Sequence, residues 1–197
     1  MLYLRHTLFD TQGLTRAQKR AHGSAAAHAL LTDLLTDLDL PQALEKNAQG
    51  RPFLAACPTV DFNLSHTEEL AVCALLQCEN TPRIGVDAEA LRGVFDDEKA
   101  KAFAARFFAP YEQQHLAAAH DRAACFTRIF TRKEAYAKYC GDGLGKHLRT
   151  SDTLAPDFES AHGVRFYTYL HENTFITLCV PQSVHEKPIT TLSAYTK

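Results

Sequence analysis

Apolar and polar positions alternate closely enough over residues 2–9 to predict an opening strand. From Leu14 to Leu40 the apolar residues switch to helical spacing, at Leu14, Ala17, Ala21, Ala27, Leu30, Leu31, Leu34, Leu35 and Leu38. Thr15 is placed to cap that helix and Pro41 to close it. Residues 45–58 read as loop, with Gly50-Arg51-Pro52 as a turn. Three short strand-like runs follow at 61–66, 70–77 and 83–91, and the turn-rich segments 67–69 and 78–82 between them are the punctuation of a hairpin or meander. The polar, glycine-containing break at 93–97 predicts a boundary between two halves, residues 1–92 and 93–197. Helical spacing resumes over 98–108 and 111–130, interrupted at Pro110, and a further helix runs through 135–138 to Gly141, a suitable residue just past a helix end. Residues 142–159 read as loop, and 164–170 and 174–180 flank 171–173 as a second hairpin. Helices followed by strands, twice over and with no fixed-period repeat, predict an α+β fold rather than a doubly wound parallel sheet.

Composition narrows the class. The 197 residues are 46% apolar and 22% charged, which excludes collagen-like, low-complexity and wholly disordered chains. The 21 Lys and Arg against 23 Asp and Glu leave a net charge of −2, so the chain as a whole carries no electrostatic footprint for nucleic acid. No stretch approaches the ~20 apolar residues of a membrane helix, and the first residues do not have the charge-then-apolar order of a secretory signal. The expectation is a cytoplasmic protein with neither membrane nor nucleic acid as partner. Cys57, Cys73, Cys78, Cys125, Cys140 and Cys179 are scattered without a C-x-x-C pair, and read as free, packing cysteines.

Three places carry polar residues that packing does not require. In Ile84-Gly-Val-Asp87-Ala-Glu89 the two acids are two apart, so on a strand they share a face ~6.5–7 Å apart. Two such carboxylates repel unless a proton or cation lies between them, which suits a hard cation; on a solvent-facing edge strand they need no ligand at all. In Lys133-Glu134-Ala-Tyr-Ala-Lys138, Glu134 and Lys138 share one helix face, as a site or as an ordinary i,i+4 pair. In Phe62-Asn-Leu-Ser65-His66-Thr67 a strand ends in groups able to meet phosphate oxygens. Ser65 and His66, being adjacent, face opposite ways and do not form a nucleophile pair. There is no G-x-S-x-G elbow, P-loop, dinucleotide fingerprint or H-E-x-x-H.

In order along the chain, Gly50-Arg-Pro-Phe53, Phe62-Asn-Leu-Ser-His-Thr67, Gly85-Val-Asp-Ala-Glu89, Arg106-Phe-Phe108 with Glu112, and Phe130-Thr-Arg-Lys-Glu-Ala135 with Lys138 and Gly141-Asp-Gly-Leu144 resemble the 4′-phosphopantetheinyl transferase superfamily. The closer likeness is to its long, pseudo-dimeric (Sfp-type) branch. The resemblance implies two similar α+β subdomains in pseudo-twofold arrangement, an active site in the cleft between them, and a monomer. It implies Mg2+-dependent transfer of 4′-phosphopantetheine from coenzyme A to a serine of an acyl- or peptidyl-carrier protein, with release of 3′,5′-ADP. It further implies Asp87, Glu89 and Glu134 as the metal ligands, with Glu134 or a metal-bound water as base. Lys138 would lie on the pyrophosphate, Ser65 and His66 on phosphates of coenzyme A, and Arg51, where the family usually has lysine, near the nucleotide. Arg16 and Lys19 of the basic first helix turns, with Arg20, are candidates for the 3′-phosphate. Phe107, Phe108 and Leu116 lie in the right region for carrier docking, although their spacing favours helix core.

This chain departs from the family in having Phe130 in place of the usual Trp and Ala88 in place of a branched residue between the acids. The competing readings are a coenzyme A-binding module without transfer, and a Mg2+-dependent nucleotide phosphohydrolase. Binding of coenzyme A without turnover, or product release without carrier, distinguishes them.

Overall fold

The computed structural model describes residues 1–80, 82–91, 96–190 and 192. Its first unit is strand β1 (Leu2–Leu8), helix α1 (Arg16–Asp37), the two-residue pair β2 (Glu45–Lys46) and β3 (Pro52–Phe53), then β4 (Val60–His66) and β5 (Leu70–Gln77). Thr15 caps α1 in a reciprocal box with Gln18, each side chain serving the other's backbone N–H, as the threonine before the helical spacing predicts. β6 (Gly85–Ala90) is followed by α2 (Asp97–Phe107), α3 (Pro110–Ala118), α4 (Arg122–Cys140), α5 (Leu144–Thr150) and α6 (Phe158–His162). β7 (Val164–His171) and β8 (Thr174–Pro181) close the chain as an antiparallel hairpin.

Both three-stranded sheets are antiparallel, in the orders β1-β5-β4 and β6-β8-β7. In each, the strand before the helices pairs with the last strand of the unit, and the middle strand lies on the far side. The expected meander through 83–91 is therefore corrected. The strand carrying Asp87 and Glu89 pairs with β8 in the second sheet, because its partner is supplied by residues 174–181 rather than by its sequence neighbour β5.

Strand alternation divides the core. Leu70, Val72, Ala74 and Leu76 of β5 join Leu2 and Leu4 in one cluster with Val86, Ala88, Ile176, Leu178 and Val180, so the two sheets share an apolar interior. The opposite face of β5, at Cys73 and Leu75, packs under Leu31, Leu34 and Leu35 of α1. Cys179 of β8 packs under Ala135 and Tyr136 of α4. Central strands buried on both faces lose polar alternation, which is why 70–76 and 174–180 read as nearly unbroken apolar runs.

Two helical expectations change. The run 111–130 is broken, because Asp121 accepts from the Ala124 N–H and starts α4 afresh. The stretch 142–159 holds α5 and the start of α6 rather than loop alone, and 45–58 includes the short β2–β3 pair. Of the predicted break at 93–97, residues 93–95 lie outside the described residues. Lys133 is fully buried against Glu112 at 2.7 Å, tying α4 to α3, and Glu112 also accepts from the backbone N–H and hydroxyl of Thr153.

Candidate active site

β4 and β6 are the facing edge strands of the two sheets, and side chains rather than a backbone ladder join them. Asp61, Asn63 and Ser65 occupy alternate positions of β4 and so share one face. Asp61 accepts from the Ile84 N–H at 2.9 Å, Asn63 from Val86 at 2.9 Å, and Ser65 Oγ from Ala88 at 3.3 Å. The N–H row along this edge of β6 is satisfied without another strand, and the period-two polar face of β4 serves an interface instead of solvent.

This zipper leaves Asp87 projecting toward α4. The residue is 5% exposed. Oδ1 accepts from Lys138 Nζ at 2.7 Å and from the Ser65 hydroxyl at 3.0 Å. Lys138 also donates to Ser65 Oγ at 3.1 Å and to the Val86 carbonyl at 3.0 Å. The other oxygen, Oδ2, is buried without a hydrogen-bond partner among the described residues, a costly state for an ionised group unless something else completes it.

Glu134 lies one turn before Lys138 on α4. Burial pushes its carboxyl up to about 7; the negative Asp87 adds to the rise and Lys138 opposes it. The helix acid and the strand acid thus share one site. Gly85 makes this possible, since a Cβ there would stand 2.0 Å from the Ala135 carbonyl oxygen and 2.6 Å from the Tyr139 nitrogen.

A second group gathers around an open cleft of about 1220 Å³ between α1, the β4–β5 turn, the end of β6 and the β7–β8 turn. Arg16, Lys19, His66 and Glu89 all line it, and Glu89 is half-buried two positions beyond Asp87. Lys19 is paired with Glu68 at 2.8 Å. Gly23 of α1 leaves room for the His66 ring, as a Cβ there would lie 2.6 Å from Nδ1. Arg51 stands elsewhere. Its guanidinium donates to Asp61 at 2.7 Å, to the carbonyls of Ile84 at 2.7 Å and Phe62 at 3.2 Å, and to the Lys138 carbonyl. It ties together the strands and helix that frame the site.

Of the three docking candidates, Phe108 and Leu116 are buried in an apolar cluster with Phe107 packed against it, so the core reading holds for them. Sequence reasoning passed over Asp61 and Gly23, and it quoted Asn63 and Gly85 within motifs without giving them a role. The alternation Asp61-Phe-Asn63-Leu-Ser65 was the available signal for Asp61 and Asn63.

The profile of the 4′-phosphopantetheinyl transferase superfamily matches residues 83–190, which includes Asp87, Glu89, Glu134 and Lys138. Among curated proteins, 4′-phosphopantetheinyl transferase HetI of Nostoc sp. is 39% identical over 114 residues, 55% of this chain and 46% of its own. A 4′-phosphopantetheinyl transferase of Bacillus subtilis is 34% identical over 102 residues, 50% of this chain and 41% of its own. The L-aminoadipate-semialdehyde dehydrogenase-phosphopantetheinyl transferase of Saccharomyces cerevisiae is 26% identical over 157 residues, 73% of this chain and 57% of its own. The chain spans about half the length of the curated relatives it matches.

Proposed function

This chain belongs to the 4′-phosphopantetheinyl transferase superfamily, and from that premise we propose that it moves 4′-phosphopantetheine from coenzyme A to a serine of an acyl- or peptidyl-carrier protein. In that reaction the serine oxygen bonds to the phosphorus bearing pantetheine, the pyrophosphate bridge to the nucleotide breaks, and 3′,5′-ADP leaves. The two units of like strand order are read as pseudo-twofold halves, with the transferred group lying where β4, β6 and α4 meet.

The observation that carries the reading is the buried, unpartnered Oδ2 of Asp87 beside Glu134 and Lys138. An orphaned carboxylate oxygen with the Glu134 carboxylate beside it, and Glu89 two positions further along the same strand at the edge of the cleft, fits a hard divalent cation such as Mg2+, which takes oxygen ligands and leaves positions for phosphate and water. Asp87, Glu89 and Glu134 would hold it. When bound, the ion supplies neutralisation of the charge on the pyrophosphate oxygens.

The chain's own side chains supply the rest. Lys138, fixed by Asp87, Ser65 and the Val86 carbonyl, presents an ammonium to the departing phosphate. Glu134, beside Asp87 and one helical turn from Lys138, would accept the serine proton. Arg16, Lys19 and His66, around the cleft, would hold the phosphates of coenzyme A, while Ser65 positions Asp87 and Lys138. Catalysis is then chiefly positioning and electrostatics, as in phosphoryl transfer generally.

Incubation of the chain with coenzyme A, Mg2+ and an apo carrier protein should raise the carrier's mass by one phosphopantetheine. Asp87→Ala should lower the rate about a hundredfold or more while far-ultraviolet circular dichroism stays unchanged. Unaltered mass across several carriers, or product released from coenzyme A with no carrier present, would overturn the assignment.

A further inference from the structure

A second cluster of chemistry-bearing side chains, unused by the transfer, sits where α4 ends. Cys140 is the last residue of α4, and Gly141 follows with φ 80°, in the left-handed conformation that reverses a chain. Asp142 then falls beside the helix end, and α5 brings back His147. One ligating atom from each of Cys140, Asp142 and His147 lies within 4.8 Å of the others. Arg83 donates to the carbonyls of Tyr139 and Cys140, at 3.3 and 2.7 Å, and holds this helix end in place.

The surroundings are those of a built ligand set. His147 is 8% exposed. Its Nδ1 meets Ser151 Oγ at 3.2 Å while Nε2 faces Asp142, and its ring packs edge-on against Tyr136 with centroids 5.1 Å apart. A hydrogen bond on the far nitrogen of an imidazole is the contact that orients such a ligand in metal centres. A thiol, an imidazole and a carboxylate together select zinc-like cations over Mg2+, which prefers oxygen alone.

We propose that Cys140, Asp142 and His147 bind a thiophilic divalent cation of the zinc class, with the fourth position left to solvent. This centre is separate from the carboxylate group of Asp87, Glu89 and Glu134, and it does not depend on the transferase reading. Ligand-to-zinc distances of about 2.0–2.3 Å set ligand atoms roughly 3.3–3.7 Å from one another, so the direct His147 Nε2–Asp142 hydrogen bond must open to admit the ion, with the Cys140 sulfur within 4.8 Å of both. Lys146, which is exposed and paired with Asp142, must turn out to solvent. The bound ion would fasten the helix bearing Glu134 and Lys138 to α5.

The test is a titration of the purified chain with Co2+, followed by absorbance, and a parallel melting curve with Zn2+. A thiolate-to-cobalt charge-transfer band should saturate at one equivalent, and a hundredfold excess of Zn2+ over its Kd should raise Tm by about 5–10 °C. Cys140→Ser should abolish the band and His147→Gln should weaken cobalt binding about tenfold or more, each with an unchanged circular dichroism spectrum. Asp87→Ala should leave the band intact. Lys146→Ala, an exposed change that tests the site without risk to the fold, should tighten cobalt binding about two- to fivefold. Absence of the band, its persistence in Cys140→Ser, or unchanged affinity in Lys146→Ala would overturn the proposal.

Discussion

Asp87 is bound through one oxygen, by Lys138 and Ser65, and buried without partner through the other. Each unmet buried acceptor costs about 1–3 kcal/mol, a cost that a ligand bound at this oxygen would offset. Arg51 shows the opposite case. Its charge suggests a ligand contact, yet its guanidinium is engaged by Asp61 and by the Phe62, Ile84 and Lys138 carbonyls. A lysine keeps the charge but cannot span those acceptors from one planar fork. Arg51→Lys is therefore expected to destabilise the chain by about 2 kcal/mol in urea unfolding. A variant with undiminished stability and weakened coenzyme A binding would return Arg51 to a ligand role.

Among elements, the decisive contact is α4 lying directly on β6. Apolar helical spacing gives α4 a buried face, but only the missing side chain at Gly85 lets the helix backbone approach closely enough to set Glu134 and Lys138 beside Asp87. Gly85→Ala must push Ala135 and Tyr139 away, because the obstruction is backbone rather than a movable side chain. The expected loss is about 3 kcal/mol or more in denaturant midpoint measurements. Transfer activity should fall further than the loss of folded protein accounts for, since the acids separate. β4 acts on the same interface from the other side, where Asp61, Asn63 and Ser65 take the place of a neighbouring strand.

For the whole molecule, the two sheets are coupled by their shared apolar interior and by the β4–β6 zipper, and they also meet at a histidine pair. His6 of β1 and His171 of β7 have ring centroids 4.7 Å apart. Burial, and secondarily His171, lowers the His6 pKa below its ordinary 6.5. The unfolded chain therefore binds this proton more readily than the folded one. Stability from this group is complete above about pH 6.5 and is lost as the pH falls below that value and through the lower folded pKa. Melting temperature measured from about pH 7.5 down to pH 5.5 should fall less steeply in His6→Gln than in the parent chain. An equal slope in both would show that buried His6 does not supply this pH dependence.

The sequence alone determined the strands at both ends, the capped first helix, the α+β class, and the residue types gathered in the Asp87, Glu134 and Ser65 blocks. Those features rest on local periodicity, capping and turn chemistry, which neighbouring residues impose on one another. Only the tertiary structure decided that β6 joins the distant β8, that the polar face of β4 meets a strand edge instead of water, and that Arg51 frames the site. Only it brought Cys140, Asp142 and His147 together across a stretch that reads as loop. Each of these is a pairing across sequence separation or a turn geometry whose partner no local pattern names. Period-two polarity looks the same whether its acceptors face solvent or backbone N–H groups of another sheet.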